Sequence, residues 1–295
     1  MTGPPEPRPG HEPPGGLFDQ WREVGPGVLV RRHRVLDLNV TLVLGEERAL
    51  VVDTHAHAGH AQALVSAIRE VTGLPWVVVL THSHFDHCFG NAVFASEQPG
   101  VEIWGHAGCR DRLERDGGQQ RGLTAAWLRE HGRVDDARAV LDVEIVLPDR
   151  TFISGTRLAL GGRSVVVHHP GRGHTDHDAV VHVDDAGVSI VGDLVEEGAP
   201  PAFEDAYPLE WPITLTGLLP RLGAVVVPGH GDVVDRGFVA GQRDDLAAVA
   251  GAARRLSSQA DEAELTRVAA RLPVGRRAGL DALRRSMALR APRQG

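Results

Sequence analysis

The densest potential chemistry in the chain lies in Thr81-His82-Ser83-His84-Phe85-Asp86-His87, where three imidazoles and one carboxylate occupy six consecutive positions. Neutral imidazole nitrogen and carboxylate oxygen are ligands that zinc and its neighbouring transition metals prefer. The run follows an apolar stretch, residues 76–80, of the kind a fully buried strand presents. The exit of such a strand is where an α/β sheet places its chemistry. Alternate residues there can converge, so His82 and His84 can share one metal. Asp86 and His87, where the chain turns into a helix, can face a second. Ser83 falls between the alternating ligands and is expected to point away from them in a structural role.

Three further elements repeat the pattern of an apolar run delivering a ligand. Residues 164–169 lead into Gly173-His174-Thr175, residues 188–192 end at Asp193, and residues 224–229 end at His230. Glycines beside His174, Asp193 and His230 let the backbone approach a crowded centre without steric cost.

With these residues in this order, the chain resembles the metallo-β-lactamase-fold superfamily of metal-dependent hydrolases over roughly residues 20–240. The matching motifs are His82-x-His84-x-Asp86-His87, Gly173-His174-Thr175, Gly192-Asp193 and Pro228-Gly229-His230-Gly231. The resemblance implies an α+β fold, a four-layer αβ/βα sandwich with two sheets face to face, helices outside and the metals at one edge. It implies a first metal on His82, His84 and His174, a second on Asp86, His87 and His230, and Asp193 bridging both. Two zinc ions are expected, with iron or manganese as alternatives. The zinc-binding cysteine of some antibiotic-destroying members has no counterpart, so the glyoxalase II-like branch is the closer likeness.

Zinc lowers the pKa of bound water from about 16 toward about 7, so a metal-bridging hydroxide can attack at neutral pH without a serine or cysteine nucleophile. The expected activity is hydrolysis of an ester, thioester, lactone or similar acyl bond in a small-molecule substrate. The alternatives are a mononuclear iron dioxygenase of the same fold, resembling persulfide dioxygenases, and a β-lactam-hydrolysing enzyme. Asp86 could add a catalytic duty by orienting the hydroxide through its free oxygen. Asp53 matches a family position that supports the ligands through hydrogen bonds.

Other candidates are read more conservatively. His55 and His57 form another His-x-His with no Asp-His after it, and are expected at the pocket mouth or in solvent. His177 is the substitute for His174 as a ligand. Cys88 reads as a small buried residue at a helix start. Gly171-x-Gly173 lacks the rest of a dinucleotide fingerprint. Lactone-cleaving relatives place a tyrosine three residues after the bridging aspartate, where this chain has Glu196. Its one tyrosine, Tyr207, lies in a loop, residues 203–208, that could cover the pocket and contact substrate. Arg284, Arg285, Arg290 and Arg293 read as a solvated helix face.

The 295 residues carry a formal charge of -8, which argues against nucleic acid as a partner. The sequence contains no lysine, excluding Schiff-base and phosphate-loop lysine mechanisms. Two cysteines, no apolar leader and no apolar stretch near the ~20 residues a bilayer requires suggest a cytoplasmic protein with no membrane partner. The oligomeric state is left open.

The elements that must hold the ligands can be traced in outline. Residues 1–16, rich in proline and glycine, read as a disordered tail. Residues 17–236 form the metallo-β-lactamase-fold domain, and 237–295 a helical extension packed on it. Strands are expected at 27–35, 39–44, 49–53 and 77–80, with an amphipathic helix at 59–71. Helices follow over 106–139, then mainly antiparallel hairpins over 143–194. A helix at 215–222 precedes the strand ending at His230. Helices at 244–256, 261–272 and 280–289 complete the chain.

Overall fold

A computed structural model describes residues 17–291; the expected disordered tail lies outside the described residues. The first half contains β1 (Arg22–Gly25), β2 (Val28–His33), β3 (Leu38–Leu44), β4 (Ala49–Val52), α1 (Ala58–Val71) and β5 (Trp76–Val79). These are followed by α2 (Phe85–Cys88), α3 (Asn91–Glu97), β6 (Glu102–His106), α4 (Ala107–Glu130) and α5 (Val134–Leu141). The second half runs β7 (Arg150–Phe152), β8 (Gly155–Gly161), β9 (Arg163–His168), β10 (Val180–Val183) and β11 (Val188–Glu196). It ends with α6 (Trp211–Leu218), β12 (Val225–His230), α7 (Arg236–Arg255), α8 (Glu262–Ala269) and α9 (Arg276–Arg290).

Period-two alternation sorts the strand residues into layers. In β4, Ala49 and Val51 face one apolar cluster while Leu50 and Val52 face another; in β5, Trp76 and Val78 separate in the same way from Val77 and Val79. The first cluster includes Leu64 and Ile68 of α1, Phe94 of α3 and Leu113 and Leu128 of α4. The second joins Leu50, Val52, Val77 and Val79 to Val165, Val167, Val181 and Ile190 of the other half. A third packs Val180, Leu194 and Val226 against Trp211 and Leu215 of α6 and Leu246 of α7. Helices, sheet, sheet, helices is the resulting order, which is the expected four-layer α+β sandwich. Each fully buried aliphatic side chain in it contributes about 1.5–3 kcal/mol.

The two sheet halves form one continuous ladder, β7-β6-β5-β4-β3-β12-β11-β10-β9-β8. A single pair, His230 with Leu38, joins them. Strands β4 to β7 run parallel, β8 to β11 antiparallel, and β11 with β12 parallel. The C-terminal ends of β5 and β12, and the last turn of β11, therefore meet at one edge of the sandwich.

Some boundaries differ from expectation. Strand β7 leaves the antiparallel set and joins the first half beside β6, with Trp104 opposite Arg150. Helix α7 starts at Arg236 rather than 244, because the Asp235 carboxylate caps it by accepting from the Phe238 N–H at 2.9 Å. Two glycines in its first six residues hide that start from periodicity.

Candidate metal centre

Each motif side chain is delivered by a strand exit or a tight loop. His82 and His84 follow β5, and His84 is the N-terminal cap residue of α2, which carries Asp86 and His87. His174 lies in the loop after β9, Asp193 within β11, and His230 ends β12. Gly192 has φ of +54°, and a Cβ there would stand 2.8 Å from the Thr81 Cβ. A Cβ at Gly229 would sit 1.8 Å from Asp193 Oδ1. Only glycine lets β11 and β12 pass this close to the centre.

The seven side chains come together in two adjoining groups, His82, His84, His174 and Asp193 in one and Asp86, His87 and His230 in the other. Asp193 lies between them. Its Oδ2 is 3.6 Å from His82 Nε2, 3.5 Å from His174 Nε2 and 3.5 Å from His230 Nε2, and its Oδ1 is 3.2 Å from His87 Nε2. Asp86 Oδ2 is 3.4 Å from His230 Nε2 and 3.9 Å from His87 Nε2. Ring nitrogens also face one another, His174 Nε2 and His84 Nδ1 at 2.9 Å, and His87 Nε2 and His230 Nε2 at 3.4 Å.

The opposite ring nitrogens are bonded outward. His87 Nδ1 is 2.8 Å from Asp53 Oδ2, and His230 Nδ1 donates to the Leu36 carbonyl at 2.8 Å. His84 Nε2 is 3.2 Å from both oxygens of Asp205. His82 Nδ1 is 3.0 Å from Thr81 Oγ1, which donates in turn to Asp53 Oδ2 at 2.8 Å. A ring that donates outward keeps its lone pair directed inward. Asp53 also accepts from the Thr81 N–H at 2.8 Å, and it does so from a left-handed backbone, φ 69°. That conformation costs a non-glycine residue on the order of 1 kcal/mol.

The electrostatics of the cluster are divided. Burial opposes a charge on His87, but Asp193, Asp86 and Asp53 outweigh it and hold the ring's pKa well above its ordinary value. Burial is likewise outweighed at His84 by Asp205, and at His230 by Asp193, each ring being raised to about 9. Burial wins at His174, pushed down to about 3, and at His82, also lowered. Burial would raise Asp193, but His87, His230 and His82 hold it well below the usual carboxylate range. Positive charge is therefore wanted at the centre. His82 Nε2 and Asp193 Oδ1 are buried with no hydrogen-bond partner, as inward-facing ligand atoms would be. This donor set, imidazole and carboxylate only, fits two divalent transition-metal ions.

A cavity of about 630 Å³ opens over the cluster, lined by His84, Asp86, His174, Asp193 and His230. Phe85, Leu123 and Trp127 give it apolar surface, and Arg112, Glu196 and Asp205 give it charge. Glu196 is buried and accepts from the Ala202 N–H at 3.3 Å; burial, reinforced by Asp193, pushes its carboxyl up to about 8.

Other candidates fall elsewhere. His177 bonds Ser83 Oγ at 2.9 Å and Asp176 Oδ1 at 2.7 Å, outside both ligand groups. Ser83 thus turns from the centre. Cys88 is buried with its thiol against the Ser83 and His84 carbonyls. Tyr207 does not line the cavity; its hydroxyl donates to Asp176 Oδ2 at 3.0 Å. Its neighbours Glu204 and Asp205 line the cavity instead. His55 and His57 are buried, 0% and 6% exposed, not solvated, because Phe18 and α1 cover them. Arg285 is also more than a solvated side chain, since it donates to the carbonyls of Asp205 and Ala206. Sequence reasoning missed Asp205, 121 residues from His84, and gave Thr81 no role although it heads the main motif.

The model of the metallo-beta-lactamase superfamily matches residues 33–249. A metallo-beta-lactamase type 2 of Bacillus cereus is 36% identical over 91 residues, covering 29% of this chain and 36% of the relative. A metallo-beta-lactamase type 2 of Bacillus sp. (strain 170) is 34% identical over 167 residues, covering 55% of this chain and 54% of the relative. The chain thus spans about a third and about half of these curated relatives. Among solved structures, a metallo-beta-lactamase from Pontibacter korlensis matches with a TM-score of 0.59 at 23% identity, over 77% of this chain and 98% of that one. TMB-1 matches with a TM-score of 0.60 at 20% identity, over 76% and 95%. These two share the fold.

Proposed function

The chain belongs to the metallo-beta-lactamase superfamily, and from that premise we propose that it is a dinuclear metal hydrolase of an ester, thioester, lactone or related acyl bond. The observation that carries the reading is the orientation of the rings. Four of the five motif histidines spend one nitrogen on Asp53, Asp205, Thr81 or Leu36 and turn the other inward, toward Asp193 or Asp86 for His82, His87 and His230 and toward His174 for His84. Such a set binds metal without first having to be ordered. His82, His84 and His174 would hold one ion, Asp86, His87 and His230 the second, and Asp193 both; zinc is the ion the donors suit best.

When bound, the ions lower the pKa of water and polarise the scissile carbonyl. The chain's own groups do the rest. Asp86 lines the cavity and offers a carboxylate oxygen to accept a hydrogen bond from the attacking water and orient it. Phe85, Leu123 and Trp127 supply apolar surface that holds the acyl portion and excludes bulk water. Hydrolysis adds one water across the acyl bond, giving a carboxylate, the leaving group and a proton.

A β-lactam, itself a strained acyl bond, is the second reading, favoured by the names of the two Bacillus relatives. An iron dioxygenase with one metal is less well supported, since Asp86, His87 and His230 keep a complete second group. Metal quantification with a parallel screen of thioesters, lactones and β-lactams tests the proposal. About two metals per centre and one preferred acyl class, lost on chelation, are expected. Oxygen uptake with a persulfide and no hydrolysis of any acyl class would overturn it.

A further inference from the structure

A second cluster of metal-ligating side chains lies apart from the centre at His82. His57 caps α1, His60 sits in its first turn, and Asp136 in the first turn of α5 faces both. We propose that His57, His60 and Asp136 form a structural site for a divalent transition metal, zinc by preference, that fastens α5 to α1.

The geometry comes first. Asp136 Oδ1 is 3.3 Å from His57 Nε2 and 4.0 Å from His60 Nε2, so one carboxylate oxygen faces two ring nitrogens. Tetrahedral zinc with bonds of about 2.0–2.2 Å spaces its ligand atoms by roughly 3.3–3.5 Å. A shared ion would draw His60 toward Asp136 and splay the two stacked rings apart. The rings stack with centroids 3.7 Å apart and planes tilted by 33°, and the three candidate ligand atoms all lie within 4.8 Å of one another. Two imidazoles and one carboxylate, with a position left for water, is a donor set zinc accepts.

Hydrogen bonding engages His57 Nε2 with Asp136 but leaves His60 out: the ring is 4% exposed, and 4.0 Å is too long for its Nε2 to bond Asp136. Asp136 is oriented for the task, since Arg133 pairs with its Oδ2 and leaves Oδ1 to the rings. His33 is a wall rather than a ligand. Its Nδ1 accepts from the Leu36 N–H at 3.0 Å, which puts the ring proton on Nε2. Phe18 covers the cluster, its ring edge-on to His33, His55 and His60.

The consequence is structural. Helix α5 packs against α4, whose Gln120, Leu123 and Trp127 line the cavity. A metal bound only by the folded state stabilises that state by mass action.

Zinc-edge anomalous diffraction on the unmodified full chain, purified with no more than a slight excess of zinc, tests the site directly. The expected result is a peak among His57 Nε2, His60 Nε2 and Asp136 Oδ1, distinct from any peak at His82. An empty position there overturns the proposal whether or not the His82 centre is loaded. In solution, His60→Gln and Asp136→Asn should each lose about one equivalent of zinc relative to the unmodified chain. Folded variants with unchanged zinc content would also overturn it; should both unfold, the diffraction result decides alone.

Discussion

Two of the buried groups of histidines, one around Asp193 and one beneath Phe18, treat their outward nitrogens differently. Around Asp193, His87 leans on Asp53, His230 on the Leu36 carbonyl, His84 on Asp205 and His82 on Thr81. Beneath Phe18, both nitrogens of His55 and the Nδ1 atoms of His57 and His60 have no partner. A buried polar atom left unpaired costs about 1–3 kcal/mol, so the second group is expensive as it stands. The first group has its ring orientations fixed from behind, while the second relies on packing. A catalytic centre needs the former, because its geometry must survive substrate exchange. A structural site can tolerate the latter if an ion on the Nε2 side stabilises the fold by more than the unpaired Nδ1 atoms cost.

The largest effect expected from breaking this contrast is at Asp193, whose carboxylate faces His82 and His174 in one ligand group and His87 and His230 in the other. Asp193→Ala should lower hydrolysis by about a thousandfold or more, the loss of several kcal/mol of charge stabilisation. Metal content at the centre should fall with it, read by elemental analysis beside the rate. Full activity in this variant would remove Asp193 from the site.

The outer acceptors rank next. Asp53 is 2% exposed and receives the Thr81 N–H, the Thr81 hydroxyl and His87. Asp53→Asn keeps the shape but removes an acceptor from His87, and metal affinity should drop roughly 10- to 100-fold in chelator competition. Asp205→Asn should sit at or below the low end of that range. The Asp205 side chain is 29% exposed, so water can replace its contact with His84. Equal losses in the two variants would mean that burial of the outer acceptor does not matter.

How much of this the sequence carried follows from range. The strands around His82, Asp193 and His230 were legible because unbroken apolar runs mark buried strands, and α1 because its apolar residues recur at three and four. The motif itself displayed the ligands. Strands β6 and β7 were hidden, since Glu102–His106 and Arg150–Phe152 mix charged and apolar residues, with pairing decided by neighbours far along the chain. Asp205 was hidden for the same reason. Nothing in Phe203-Glu204-Asp205-Ala206 marks one carboxylate for His84, and Arg285 of α9 holds that loop by its carbonyls. Asp136 reaches His57 across 79 residues, and no spacing rule connects them.

The smallest effect is expected at His177, and it separates a ligand from a histidine that is merely close to one. His177 follows His174 by three positions and is almost fully buried, as the ligands are. Both of its nitrogens are already engaged, Nε2 with Ser83 and Nδ1 with Asp176, so no lone pair remains for an ion. The Asp176 carboxylate is held well below its usual range, chiefly by that hydrogen bond, and so stays charged and keeps its grip on the ring. His177→Gln should therefore leave metal content unchanged and activity within about twofold. It should cost about 1 kcal/mol of stability, the ordinary value of a lost side-chain hydrogen bond, measured by denaturant unfolding. Loss of a metal equivalent with the fold intact would place His177 in the ligand set and require His174 to give up its position there.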